Sequence, residues 1–61
     1  MIEWTAGRRE AIVTGTEAEI AAGIAEVERE YPPAGYGTRV QERKETAPGQ
    51  WRVRMVWYSA D

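Results

Sequence analysis

The stretch Gln50-Trp51-Arg52-Val53-Arg54-Met55-Val56-Trp57-Tyr58 decides how the rest of the chain reads. Trp51, Val53, Met55 and Trp57 fall on one parity, and Arg52, Arg54, Val56 and Tyr58 on the other. A period of two marks a strand with one buried face. Two tryptophans on one short strand carry a large share of the apolar area that so small a protein can bury. The other elements are expected to pack against that face and to leave the guanidinium groups outside.

Immediately upstream, Thr46-Ala47-Pro48-Gly49 is turn chemistry. It joins the final strand to an earlier one, Thr38 to roughly Lys44, as a hairpin. Two closures compete. A four-residue loop, Thr46–Gly49, pairs Glu45 with Gln50 and therefore Val40 with Met55. A three-residue loop, Thr46–Pro48, pairs Val40 with Arg54 and turns Arg39 and Arg43 onto the tryptophan face. Burying two arginines is expensive unless they are paired, so the four-residue loop is preferred. It groups Arg39, Arg43, Arg52 and Arg54 with Tyr58 on one face, and it sets Arg43 opposite Arg52, a like-charge pair.

Residues 1–14 read as extended. Ile2 and Trp4 share a parity, Ala11 and Val13 share another, and Ile12 points the opposite way to its neighbours. Ala6-Gly7 interrupts the run, so strands over 1–5 and 9–14 joined as a tight hairpin are favoured over one bent strand with a bulge at Gly7. Thr16-Glu17-Ala18-Glu19 then fits the capping box that opens a helix. Ile20, Ile24, Val27 and Tyr31 follow at helical spacing as one apolar stripe. Gly23 costs about 1 kcal/mol against Ala inside a helix, and its small size would admit a close neighbour. Glu17 and Glu19 suit the positive end of the helix dipole, whereas Glu28 and Glu30 sit at the wrong end and need a partner cation. Pro32-Pro33 stops the helix. Ala34-Gly35-Tyr36-Gly37 reads as a loop, and Ser59, Ala60 and Asp61 as a frayed end.

The reading is α+β: one domain over 1–61, a small antiparallel sheet of three or four strands in ββαββ order, with one helix across one face. Ile20, Ile24 and Val27 are expected to meet Trp51, Val53, Met55, Trp57 and Val40, with Ile2, Trp4 and Val13 completing the core. The order strand, helix, strand, strand resembles several small oligomeric binding proteins, dodecin-like flavin carriers among them, in topology alone.

Chains of 61 residues bury only about 60% of their unfolded surface and are marginal alone. Disulfides, metals or partner subunits are the usual remedies. The chain has no Cys and no His, which rules out disulfides and any zinc site built on thiolate or imidazole. Self-association is the remedy left, and a dimer is its simplest form. Net charge is −2, which argues against a general nucleic-acid glue. The distribution says more: helix span 17–30 holds five glutamates and one arginine, while 38–44 with 50–58 holds Arg39, Arg43, Lys44, Arg52 and Arg54 against Glu42. No apolar run approaches the length that spans a bilayer, and residues 1–4 lack the order of a signal peptide. A cytoplasmic setting is expected.

The arginine face offers guanidinium forks for phosphate oxygens and Tyr58 as a stacking surface, hence a nucleic-acid or phospholigand surface. The plainer alternatives are a solvated sheet face, or docking onto another subunit's acidic helix. Trp4, Trp51 and Trp57 could stack a flat ligand, but their parity suits a core better. Glu26 and Glu30 lack the oxygen-rich loop of a calcium site, so neither a metal nor a cofactor is expected. Without His and Cys the usual catalytic base and strongest nucleophile are missing. The expectation is a non-enzymatic interaction module that works as a homo-oligomer and binds a protein partner, with a nucleic-acid-binding regulator as the alternative.

Overall fold

In a computed structural model, residues 1–58 are described, and the tail expected to fray, Ser59 to Asp61, lies outside them. The elements are β1 (Ile2–Trp4), β2 (Glu10–Gly15), α1 (Glu17–Glu30), α2 (Pro33–Tyr36), β3 (Arg39–Ala47) and β4 (Gln50–Val56). The strands form one antiparallel sheet in the order β1-β2-β4-β3, and α1 packs on the central pair, β2 and β4. This is the α+β arrangement read from the sequence. No helix among the described residues is long and apolar enough to cross a membrane.

The first hairpin pairs Ile2 with Val13, Glu3 with Ile12 and Trp4 with Ala11. Its turn needs two residues at positive φ, Gly7 at 84° and Arg8 at 51°. The helix begins as its capping box demands: the Thr16 N–H donates to Glu19 Oε1 at 2.9 Å, and the Glu19 N–H donates to Thr16 Oγ1 at 3.3 Å. Four orphan amides open every helix, and this reciprocal pair satisfies two of that kind. α1 ends at Tyr31, before the prolines. The segment expected to be a loop winds one helical turn instead. Pro33 supplies helical φ at its first position, and Gly37 at φ 67° ends it by donating to Pro33 O.

The buried line of α1 is Ile20, Gly23 and Val27. Ile24, expected on that line, flanks it and is half-buried. Gly23 takes the central place because α1 lies so low on β2 that a Cβ there would overlap Val13 Cγ1. Below the helix lie Ala11, Val13, Val53, Met55 and Trp57, all buried, with Ile2, Trp4, Tyr31 and Trp51 half-buried at the margin. Val40 was expected in this core. It lies on edge strand β3, beyond the helix, and is 44% exposed.

The last hairpin corrects the preferred register. β3 runs to Ala47, which pairs with Gln50 across a two-residue turn, Pro48-Gly49, with Gly49 at φ 77°. Pro then Gly is the type II pattern, whose twist splays the flanking strands. Two register shifts follow, one between Glu45 and Ala47 and one between Val40 and Glu42. Between them Arg43 faces Val53 and Lys44 faces Arg52; beyond the second, Val40 faces Met55 as expected. Each shift by one residue exchanges the faces. Arg43 therefore lies on the tryptophan side, while Arg39 stays on the other.

Two outcomes test this packing. Gly23→Ala should destabilise the fold by about 1–3 kcal/mol in urea unfolding, because overpacking against Val13 outweighs the gain in helix propensity. Pairing it with Val13→Ala should recover part of the loss. The second concerns acid. The Thr16 backbone N–H, and then the Thr16 side chain, hold the Glu19 carboxyl below its ordinary range. A depressed folded value means stability that is full above the unfolded value of about 4.3 and lost as pH falls through the folded one. Glu19→Gln should thus flatten the acid limb of melting temperature against pH.

Candidate functional site

One broad side of the sheet carries no helix. Pairing across the strands builds three rows on it: Glu3, Ile12, Arg54 and Glu42; then Thr14, Arg52 and Lys44; then Glu10, Val56 and Arg39. The sequence-selected residues Arg39, Arg52 and Arg54 share this face. Arg43 does not. It sits on the helix side with its guanidinium 4.7 Å from the Trp51 ring centroid and 3.5 Å from Glu17 on α1. The cost anticipated for an arginine there does not arise, because Arg43 is on an edge strand, half-exposed and paired. The expected clash of Arg43 with Arg52 is replaced by Lys44 opposite Arg52, relieved by Glu42 at 3.9 Å. Tyr58 follows the end of β4, 65% exposed, with the Arg39 guanidinium 5.1 Å from its ring centroid. Its N–H donates to Tyr36 O at 2.8 Å, and its ring rests against Gly37.

The electrostatics of this face differ from the block of positive charge counted along β3 and β4. Strands β1 and β2 bring Glu3 and Glu10 to it, and Glu42 lies within it. Arg54 donates to Glu10 Oε2 at 3.2 Å. Carboxylates thus interleave with Arg39, Lys44, Arg52 and Arg54, and guanidinium groups already paired in this way have less to offer a phosphate. Ile12 and Val56, half-buried, give the middle of the face an apolar component.

The tryptophans do not converge on one pocket. Trp57 stacks on Tyr31 with centroids 4.3 Å apart, Trp4 sits edge-on to Trp57 at 6.0 Å, and Tyr36 closes on Tyr31 at 5.1 Å. Trp57 Nε1 donates to Arg8 O at 2.8 Å. Arg8 lies over Trp4 at 4.5 Å and pairs with Glu30 at 3.6 Å, the cation that the acidic helix end required. Trp51 is at the other end, under Arg43. The cluster packs ring against ring, with Trp57 buried and Trp4, Tyr31 and Tyr36 half-buried around it. The spacing of Tyr31 on the helix stripe signalled it, but the roles of Arg8 and Tyr36 carried no sequence signal. Among the described residues no group of acidic, His or Cys side chains is arranged to hold a metal.

A third feature escaped sequence reasoning. Beside β1, an open cleft of about 440 Å³ runs under α1 between Ile2 and Ala22, Gly23, Glu26 and Arg29. A second hollow of about 230 Å³ extends that side past Trp4 to Glu30. Such a cleft exists only where a helix and an edge strand diverge, and no local pattern encodes it.

No family model, curated protein or solved structure matches the chain.

The pairing on the bare face can be tested directly. Glu10→Gln with Glu42→Gln should strengthen retention on a cation-exchange column more than Glu26→Gln with Glu28→Gln, which makes the same change of net charge on the helix. Equal retention would mean that the two carboxylates do not mask the arginines.

Proposed function

We propose that the chain is a small non-enzymatic interaction module that works as a homo-oligomer, in its simplest form a dimer, and docks a protein partner. The uncovered sheet face is the observation that carries this reading. A two-layer domain of this size has one small core and leaves a whole face of its sheet without a layer above it. A second copy is the occupant that suits that face. Its apolar middle, Ile12 and Val56, gives an area to cover. Its charges of both signs let two like surfaces meet without strong net repulsion. A standard interface takes about 800 Å² from each partner, about a fifth of the 4073 Å² the folded chain exposes. A chain without Cys suits a cytoplasmic setting.

The nucleic-acid reading of Arg39, Arg52 and Arg54 has less support, because Glu10 and Glu42 engage Arg54 and Arg52, and Arg43 lies on the other side.

Light scattering between about 10 and 500 μM should show a concentration-dependent dimer, and Ile12→Asp with Val56→Asp should return it to monomer with the fold intact. A monomer throughout the range removes the oligomer. Labelled single- and double-stranded oligonucleotides at low salt should give no saturable anisotropy change. Binding that falls steeply with salt and disappears in Arg52→Ala with Arg54→Ala would transfer the function to nucleic acid.

A further inference from the structure

We infer that the cleft between α1 and β1 is where the protein partner docks, as an extended, basic and partly apolar segment that adds to the free edge of β1. This rests on the interaction-module reading and names the partner's chemistry and its place.

The backbone comes first. The Thr14 N–H donates to Met1 O, and the Thr5 N–H donates to Glu10 O. With Glu3 opposite Ile12, these fix residues 1, 3 and 5 as the ones whose peptide groups face β2, since antiparallel pairs alternate. The N–H and C=O of Ile2 and Trp4 therefore point away from the sheet. Among the described residues no loop or side-chain hydrogen bond reaches them. An unpaired edge of this kind is a template for one more strand.

The side chains come next. Ile2 and Trp4 face inward and are only half-buried, because α1 covers β2 and β4 rather than the edge. The cleft beside them is roofed by Ala22 and Gly23, which are too small to fill it. A strand laid against β1 would drop alternate side chains into this space and cover both residues.

Charge selects the occupant. The cleft wall itself is balanced, Glu19 and Glu26 against Arg29 and the Met1 ammonium, and Glu30 beyond Trp4 is already paired with Arg8. On the other side of the same strand Glu3 projects from the bare face, where the residue opposite it would pair best as a cation. Basic groups are thus favoured on the bare-face side of the incoming strand, opposite Glu3, and apolar groups on its other side, over Ile2 and Trp4.

The opposite edge is a poorer dock. β3 is bulged twice and every one of its residues is exposed. Bulges and charged side chains are the usual guards of an edge.

The test is a two-dimensional amide NMR titration of the intact chain. The probes are a capped peptide of alternating valine and lysine, about seven residues long, and its valine–glutamate counterpart. The lysine peptide should give saturable shifts at Ile2, Glu3, Trp4 and the α1 residues of the cleft, and should bind at least about tenfold more tightly than the glutamate peptide. Glu3→Lys, an exposed change that leaves the core alone, should weaken it severalfold. Absence of saturable shifts at about 1 mM peptide, equal affinity for the two peptides, or shifts centred on Arg39–Ala47 would overturn the assignment. Self-association measured by light scattering reports on the other face. A dimer that ignores the lysine peptide sinks this site and leaves the module reading standing, while a monomer that binds it supports the site and removes only the oligomer.

Discussion

The closeness of α1 to β2 is the constraint on which the rest depends. At Gly23 the helix presents backbone, and Val13 fills the place a side chain would take. A helix seated that low can bury Ile20 and Val27 fully against Val13, Val53 and Met55 with few residues to spend. Raise it by the thickness of a methyl group and these contacts weaken together, because dispersion falls off within an ångström. The described residues hold one core cluster, with no second to compensate. The roughly 1 kcal/mol penalty of glycine in a helix is accepted for that reason.

A low, centred helix also decides what stays open. By covering β2 and β4 it leaves both edge strands at the margin. On one side the margin is β3, which answers with bulges, charge and the Arg43–Trp51 stack. On the other it is β1, only Ile2 to Trp4, where the amides of Ile2 and Trp4 are bare and the helix overhangs a cleft. The two edges therefore differ in what they admit. The bare face of the sheet is a third surface, with ion pairs around an apolar middle. Assigning self-association to that face and a basic segment to the β1 edge gives each surface an occupant that its charge can tolerate.

The aromatic end ties the chain together. Trp4, Tyr31, Tyr36 and Trp57 come from four separate elements or their flanks, and Arg8 seals them through its guanidinium and its carbonyl. With the Glu30 ion pair these make three contacts at a non-glycine residue held at φ 51°.

Much of this was written locally. Alternation along Trp51–Trp57, the capping box at Thr16, the helix stop at Pro32-Pro33 and the break at Gly7 each depend on neighbours a few residues apart, so the α+β class and the inward indoles followed from the residues alone. The faces of β3 did not. Whether Arg43 joins Arg52 and Arg54 or Trp51 turns on where two extra residues are absorbed along the hairpin, and that is settled by the twist of a Pro-Gly turn against a sheet already held by β2. The glutamates that mask the arginines come from the other half of the sheet, and the cleft beside β1 from where the helix comes to rest. These are relations between segments distant in sequence, and only three-dimensional packing brings their charges and edges together.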